Sequence, residues 1–134
     1  MNEALIYLDS SAIVKLIVPE PETGALLELL AEWPERVSSA LARVEVSRAV
    51  KRAGDDPIAM QRTGEVLDRL SLIRIDAEVL SAAANMPPTE LRTLDAIHLA
   101  TALSLGDQLG ALVAYDARLA KAAGTNGLTA LSPA

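Results

Sequence analysis

The sequence has no cysteine and no phenylalanine, and its only aromatic residues are Tyr7, Trp33 and Tyr115. Without cysteine there is no disulfide, no thiolate zinc site and no Cys nucleophile, and the lack fits a reducing cytoplasm. With so few rings the core must be aliphatic, and a base-stacking platform of the RRM type is not expected. Positive charge is also scarce: 12 Lys and Arg stand against 18 Asp and Glu, a formal net charge of −6. Nucleic-acid binders of the sequence-blind, high-affinity kind are usually basic, so this balance argues against one. It leaves room for an acidic site whose divalent cations meet phosphate, and it suits a basic partner. No apolar run reaches membrane-spanning length, and Met1-Asn2-Glu3 does not open a signal peptide. The expectation is a cytoplasmic protein with no membrane association.

What is present is aliphatic and alternating. At 134 residues, 51% of them hydrophobic, the chain is expected to form one domain spanning 1–134. Ala4–Leu8 reads as a short buried strand ending at Asp9, and a helix follows through Val18, capped by Ser10 or Ser11 and stopped by Pro19. Thr23 to Trp33 reads as a leucine-rich helix and Arg36–Ser38 as a brief strand. Ser39 to Ala53 reads as a helix closed by Gly54, and 57 to about 70 as another. Ser71–Ile75 is a strand, Asp76 caps a helix over 77–85, Gly110–Ala114 is a buried strand, 117–123 a short helix, and 128–131 a last strand. Short apolar strands alternating with helices indicate an α/β fold, a mostly parallel sheet flanked by helices on both faces in three layers.

The segment from Leu91 to Gly106 organises the rest. After Arg92 it carries one charged residue, Asp95, set among Leu94, Ala96, Ile97, Leu99, Ala100, Ala102 and Leu103. A helix apolar nearly all round is buried, and burying an anion costs several kcal/mol, on the order of the penalty for any unpaired buried ion. Asp95 therefore needs a partner: the helix N-terminus, with Thr93 as its cap, and a metal ion. In parallel sheets ligands bind outside the carboxyl ends of the strands. Asp9 ends the first strand and Asp116 lies past a later one. Asp95 precedes that strand, and Glu45 sits on the helix after the second. Four carboxylates distant in sequence can thus share one edge, where bare they would repel. Mg²⁺ relieves that repulsion with few direct carboxylate ligands. Asp9 and Asp95 are expected as the firmest metal ligands, with Glu45 and Asp116 acting through water or at a second ion.

Asp9-Ser-Ser-Ala, Ser39-Ala-Leu-Ala-Arg-Val-Glu45, Leu94-Asp-Ala-Ile-His-Leu-Ala-Thr-Ala and Tyr115-Asp-Ala-Arg-Leu resemble the PIN domain, and more narrowly the VapC-type toxins of bacterial toxin–antitoxin pairs. The resemblance covers nearly the whole chain, and the Asp-Ala-Ile-His-Leu-Ala block is its specific part. It implies a PIN-like fold, and a nuclease site made of Asp9, Glu45, Asp95 and Asp116 that uses Mg²⁺ or Mn²⁺. It also implies an RNA substrate, a small VapB-type antitoxin whose tail covers the site, and a homodimer or a larger toxin–antitoxin assembly. The family often has Thr or Ser two residues before the last Asp; here that position is Ala114.

The implied chemistry is hydrolysis of an RNA phosphodiester by a metal-activated water, leaving 5′-phosphate and 3′-hydroxyl ends. No side-chain nucleophile is needed. His98 reads as a packed or hydrogen-bonded structural residue and Ser10 as either a cap or a partner of a site carboxylate. Lys15, Arg43, Arg48, Arg92 and Arg118 read as surface charges, with Arg92 the best phosphate contact because it is near Asp95. Asp55, Asp56, Asp76 and Asp107 belong to turns or caps. Two rivals stand beside this reading: a non-catalytic PIN-like protein-binding module, and a receiver-type signalling domain phosphorylated on Asp76. The receiver needs paired acids after the first strand and a late Lys, and the sequence offers neither.

Overall fold

In the computed structural model, which describes residues 2–134, the chain is built around its first strand, β1 (Leu5–Leu8). β2 (Arg36–Ser39) and β4 (Leu109–Val113) flank it, with β3 (Ser71–Ile73) and β5 (Ala130–Leu131) at the edges. The order is β3-β2-β1-β4-β5, and every pairing is parallel. The chain leaves β1 toward β2 and β3 on one side and returns to β4 and β5 on the other. The topological switch point therefore lies between β1 and β4, where such sheets open a crevice.

Both faces of the sheet are covered, which is why its central strands are apolar without alternation. Ile6, Leu8, Ala111 and Val113 face α1 (Ser10–Ile17), α2 (Thr23–Leu30), α3 (Ala42–Ala53) and α4 (Pro57–Asp68), meeting Ile13, Ile17, Leu26, Leu30, Val46 and Leu67. Tyr7, Val37 and Leu112 face α6 (Thr93–Leu103) and α7 (Ala117–Thr125), meeting Leu99, Ala102, Leu119 and Ala123. α5 (Ala77–Ala84) packs outside on α6. Each fully buried aliphatic side chain contributes about 1.5–3 kcal/mol, so two such layers supply the driving force a phenylalanine-free core needs. Gly110 shows how closely the layers approach: a Cβ there would lie 2.6 Å from the Trp33 ring, so a larger residue would displace the indole from β4.

The three-layer α/β/α architecture is as expected; several boundaries are not. α2 ends at Leu30 rather than at Trp33, because the Arg36 guanidinium takes the Leu30 and Trp33 carbonyls and turns the chain into β2. Only Leu26 and Leu30 of its leucines are fully buried, and Leu27 is exposed. α3 begins at Ala42 rather than Ser39, since Ser39 pairs with Ile73 in the sheet and its Oγ accepts from the Leu41 amide. β3 stops at Ile73, where its partner β2 also ends. α7 runs on to Thr125. Asp76 and Asp56 cap α5 and α4 as expected. Pro87–Pro88 is a cis peptide in the loop before α6. Among the described residues no helix is long and apolar enough to cross a membrane.

Candidate active site

β1 delivers Asp9 to the switch point, and the backbone turns there into α1. Neither Ser10 nor Ser11 is the cap that was expected. Asp9 itself is, in extended backbone, with Oδ1 accepting from the Ala12 amide at 3.0 Å. The serine hydroxyls are committed elsewhere. Ser11 Oγ donates to the same Asp9 oxygen at 2.7 Å and accepts from the Tyr115 amide at 3.2 Å, pinning α1 to the loop after β4. Asp9 is 4% exposed. Burial pushes its carboxyl up to about 6; the hydrogen bonds from Ser11 and Ala12 and the nearby His98 act against that, and Asp95 adds to it. A buried anion facing another anion is a place where a cation stabilises the fold.

Glu45 comes from the first turn of α3, at the margin of its buried face. Its Oε1 is 2.6 Å from Ser10 Oγ, which donates, and 2.6 Å from His98 Nε2. Burial would raise this carboxyl, but the hydrogen bonds from His98 and Ser10, with the His98 charge interaction, outweigh it and hold Glu45 below its ordinary value. His98 is the structural, hydrogen-bonded residue expected on α6, but it is also the partner of a site acid. Its Nδ1 lies 2.7 Å from the Tyr7 hydroxyl, and the two rings meet edge-on at 5.8 Å. Tyr7 and His98 are both essentially buried. The sequence did carry a signal for this contact: Tyr7 is the one polar side chain in an otherwise aliphatic strand, and a buried phenol needs a partner.

The other two acids are held from outside. Asp95 lies in the first turn of α6 with its side chain 15% exposed, less buried than the apolar sequence around it implies, because Thr93 and Leu94 face solvent. Thr93 is not the cap of α6. Arg92 holds that position with no side-chain cap hydrogen bond, and its guanidinium reaches the acids instead. Arg92 Nε donates to Asp95 Oδ2 at 3.2 Å and its Nη2 to Asp116 Oδ2 at 2.9 Å. Asp116 caps α7, Oδ1 taking the Arg118 and Leu119 amides. Ala114 is completely buried beside Tyr7 and Leu119, so the small side chain there belongs to the core, and Asp116 is oriented by the helix and Arg92. Lys15, expected at the surface, is instead buried, paired with Glu20 and Glu22 and lying 4.6 Å over the Tyr115 ring. Arg43 forms a long exposed pair with Asp68.

Glu45, Arg92, Thr93, Leu94 and Asp95 line an open cleft of about 280 Å³. A larger cavity of about 550 Å³, between α5 and α6, has no ionisable side chain in its lining and offers no comparable chemistry. The acids form no closed cage: among the described residues no three His, Cys, Asp or Glu are already arranged to hold an ion. The donor set nonetheless suits a hard cation that keeps most of its waters. Asp9, Glu45 and Asp95 each have one oxygen fixed by protein donors, Oδ1, Oε1 and Oδ2 respectively, and the second accepts no hydrogen bond from the described residues. Asp116 has both oxygens engaged.

Residues 6–125 match the model of the PIN domain family. The chain belongs to that family. Among curated relatives it is 52% identical over 130 residues to Ribonuclease VapC46 of Mycobacterium tuberculosis, covering 97% of this chain and 98% of the relative. Among solved structures its fold is similar to Mycobacterium tuberculosis VapC20, a sarcin-ricin loop cleaving toxin, with a TM-score of 0.75 at 18% identity over 96% of this chain and 99% of that one. It is similar as well to a chain of a Klebsiella pneumoniae toxin–antitoxin complex, with a TM-score of 0.73 at 24% identity over 96% and 98% of the two chains. The PIN fold and the VapC relationship expected from the four acidic motifs are thereby established, and the receiver-type alternative is excluded.

Proposed function

We propose that this chain is a divalent-metal-dependent endoribonuclease and the toxin of a toxin–antitoxin pair. The ribonuclease and toxin parts follow from the family and from its VapC relatives; the metal, the site residues and the course of the reaction are our inference. One observation carries them. Buried Asp9, whose carboxyl burial pushes up to about 6, lies close enough to Asp95 for that charge to add to the shift, and Asp95 lines one cleft with Glu45.

Asp9 and Asp95 would hold Mg²⁺ or Mn²⁺ directly, with Glu45 beside them and Asp116 at the rim. Such an ion supplies Lewis acidity, bringing a water's proton loss toward neutral pH and offsetting phosphate charge. The chain's own contribution is positional. Ser11, the Ala12 amide, Ser10 and His98 fix one oxygen of Asp9 and of Glu45, so neither acid has to reorganise when the charge arrives. Arg92, 61% exposed in its side chain, is free to pass from the acids to a phosphate of the RNA, whose paired oxygens suit a guanidinium fork. No Cys is present, and the one His, His98, is already bound at both ring nitrogens, so neither is available to attack, and water is the nucleophile in the proposed hydrolysis.

The partner is a VapB-type antitoxin in the cytoplasm, with a basic side chain that pairs with the cleft as Arg92 does. The test is incubation of the free protein with structured RNAs, with and without Mg²⁺ or Mn²⁺, and mapping of the ends. Cleavage is expected only with metal, with 5′-phosphate ends, and is lost in Asp9→Asn and Asp95→Asn. Cyclic-phosphate ends, or full activity in EDTA, would overturn the metal mechanism. No cleavage under any condition would favour the non-catalytic protein-binding module.

A further inference from the structure

One pair of buried polar groups is not absorbed by this chemistry. Tyr7 on β1 and His98 on α6 sit inside the aliphatic layer between the sheet and α6, where an unpaired hydroxyl or imidazole would be costly. The donors and acceptors there have one consistent order. Glu45 is a carboxylate and can only accept, so Ser10 Oγ and His98 Nε2 must both donate to its Oε1. In the neutral imidazole Nδ1 is then an acceptor, and the Tyr7 hydroxyl at 2.7 Å donates to it. Burial pushes the Tyr7 phenol well above its ordinary range, so it keeps the proton it donates. The sequence of donations runs from the sheet through α6 to an acid on α3.

We propose that the buried Tyr7–His98 pair is the positioning device of Glu45, committing Oε1 to the protein so that Oε2 alone faces the cleft, and thereby setting cation affinity and turnover without contact with RNA. The geometry supports positioning rather than ligation, since both ring nitrogens of His98 are taken by protein groups. Tyr7 belongs to the central strand and α6 packs against β2 and β4, so the orientation of the imidazole is fixed by the rigid middle of the fold. Partners of this kind, one bond removed from a metal, typically change affinity or activity about 10–100-fold when removed.

The inference rests on the metal-dependent nuclease proposed above, and the experiment separates the two. Mn²⁺ binding without RNA is measured by EPR, and RNA cleavage is measured as kcat and KM, for the parent, Asp9→Asn, Tyr7→Phe, His98→Leu and His98→Gln. Melting temperatures are recorded alongside. Tyr7→Phe is expected to weaken Mn²⁺ and lower kcat several-fold, and His98→Leu about 10–100-fold, both with KM for RNA unchanged. His98→Gln, which keeps a donor toward Glu45, is expected to recover part of the loss. A nitrogen-15 spectrum of the metal-free parent is expected to show a proton on His98 Nε2. If the parent binds Mn²⁺ and Asp9→Asn does not, while Tyr7→Phe and His98→Leu match the parent in affinity and kcat and only melt earlier, the pair is structural and the inference fails alone. A parent that binds no Mn²⁺ overturns both. Should His98→Leu fail to fold, Tyr7→Phe, which deletes one oxygen at constant shape, decides.

Discussion

The two halves of the proposed acidic site are built on different principles. Asp9 and Glu45 are held from within, by a helix-cap amide, two serine hydroxyls and a buried imidazole. Asp95 and Asp116 are held from without, by one exposed arginine that spans both. The inner half is preorganised and costs stability, since Asp9 is a buried anion. The outer half is adjustable and costs little, because an exposed ion pair contributes about 0–1 kcal/mol. In the proposed nuclease the first property suits a cation site and the second a substrate entrance.

Asp9→Asn should separate the halves most sharply. Loss of cleavage on the order of 10³-fold or more is expected, because the proposed metal site loses a carboxylate. The cap survives, since Asn accepts from the Ala12 amide as Asp does. The metal-free protein should at the same time become more stable at neutral pH. The Asp9 carboxyl moves from an ordinary value of 3.8 in the unfolded chain to about 6 in the fold, so the folded state binds the proton more tightly. Stability is therefore fully present below the unfolded value and lost as pH rises through about 6, by up to about 3 kcal/mol. Urea melts in EDTA between pH 4 and 8 check this: the parent is expected to lose stability across that window, and Asp9→Asn much less.

Glu45→Gln should rank second, with cleavage down by roughly 10²-fold. It leaves Ser10 and His98 facing a neutral amide oxygen in place of a carboxylate, and the weaker hydrogen bonds should lower the melting temperature, in contrast to Asp9→Asn. On the outer half, Arg92→Ala should raise KM for RNA about 3–10-fold at low salt while shifting stability by less than about 0.5 kcal/mol. It should also tighten Mn²⁺ binding, since the arginine competes for Asp95 and Asp116; unchanged affinity would show that the pair lies outside the cation site. Asp116→Asn should have the smallest effect, below about tenfold, because Asn still caps α7 and both Asp116 oxygens are already occupied.

The same division explains what was legible in the sequence. The sheet and its two covers were readable because β1 and β4 are short runs without a charged residue, and each acid sits at a strand end or helix start. The four acids were readable for the same reason. What could not be read is what holds them. Ser10 was open to two uses, cap or partner of a site carboxylate, and the approach of α3 selects the second; Ser11 reads as a cap locally, and only the Tyr115 loop and Asp9 reassign its hydroxyl. Asp95 looked buried because its helix is apolar, yet the exposed Leu94 shows that the first turn lies at the rim. Lys15 read as a surface charge, solvated or ion-paired; the pairing holds, but its burial under Glu20, Glu22 and Tyr115 arises only in three dimensions. The link from Tyr7 to His98 spans 91 residues, beyond any periodicity.

Titration of the nitrogen-15-labelled protein with Mn²⁺, followed by amide NMR, tests most directly whether the distant acids make one cation site. Signals from residues 9–12, the Glu45 turn of α3, the Asp95 turn of α6 and the Asp116 loop are predicted to broaden first and together, at one midpoint, and to stay sharp in Asp9→Asn. Broadening that begins elsewhere, at Asp55 and Asp56 for example, or that persists unchanged in Asp9→Asn, would contradict it.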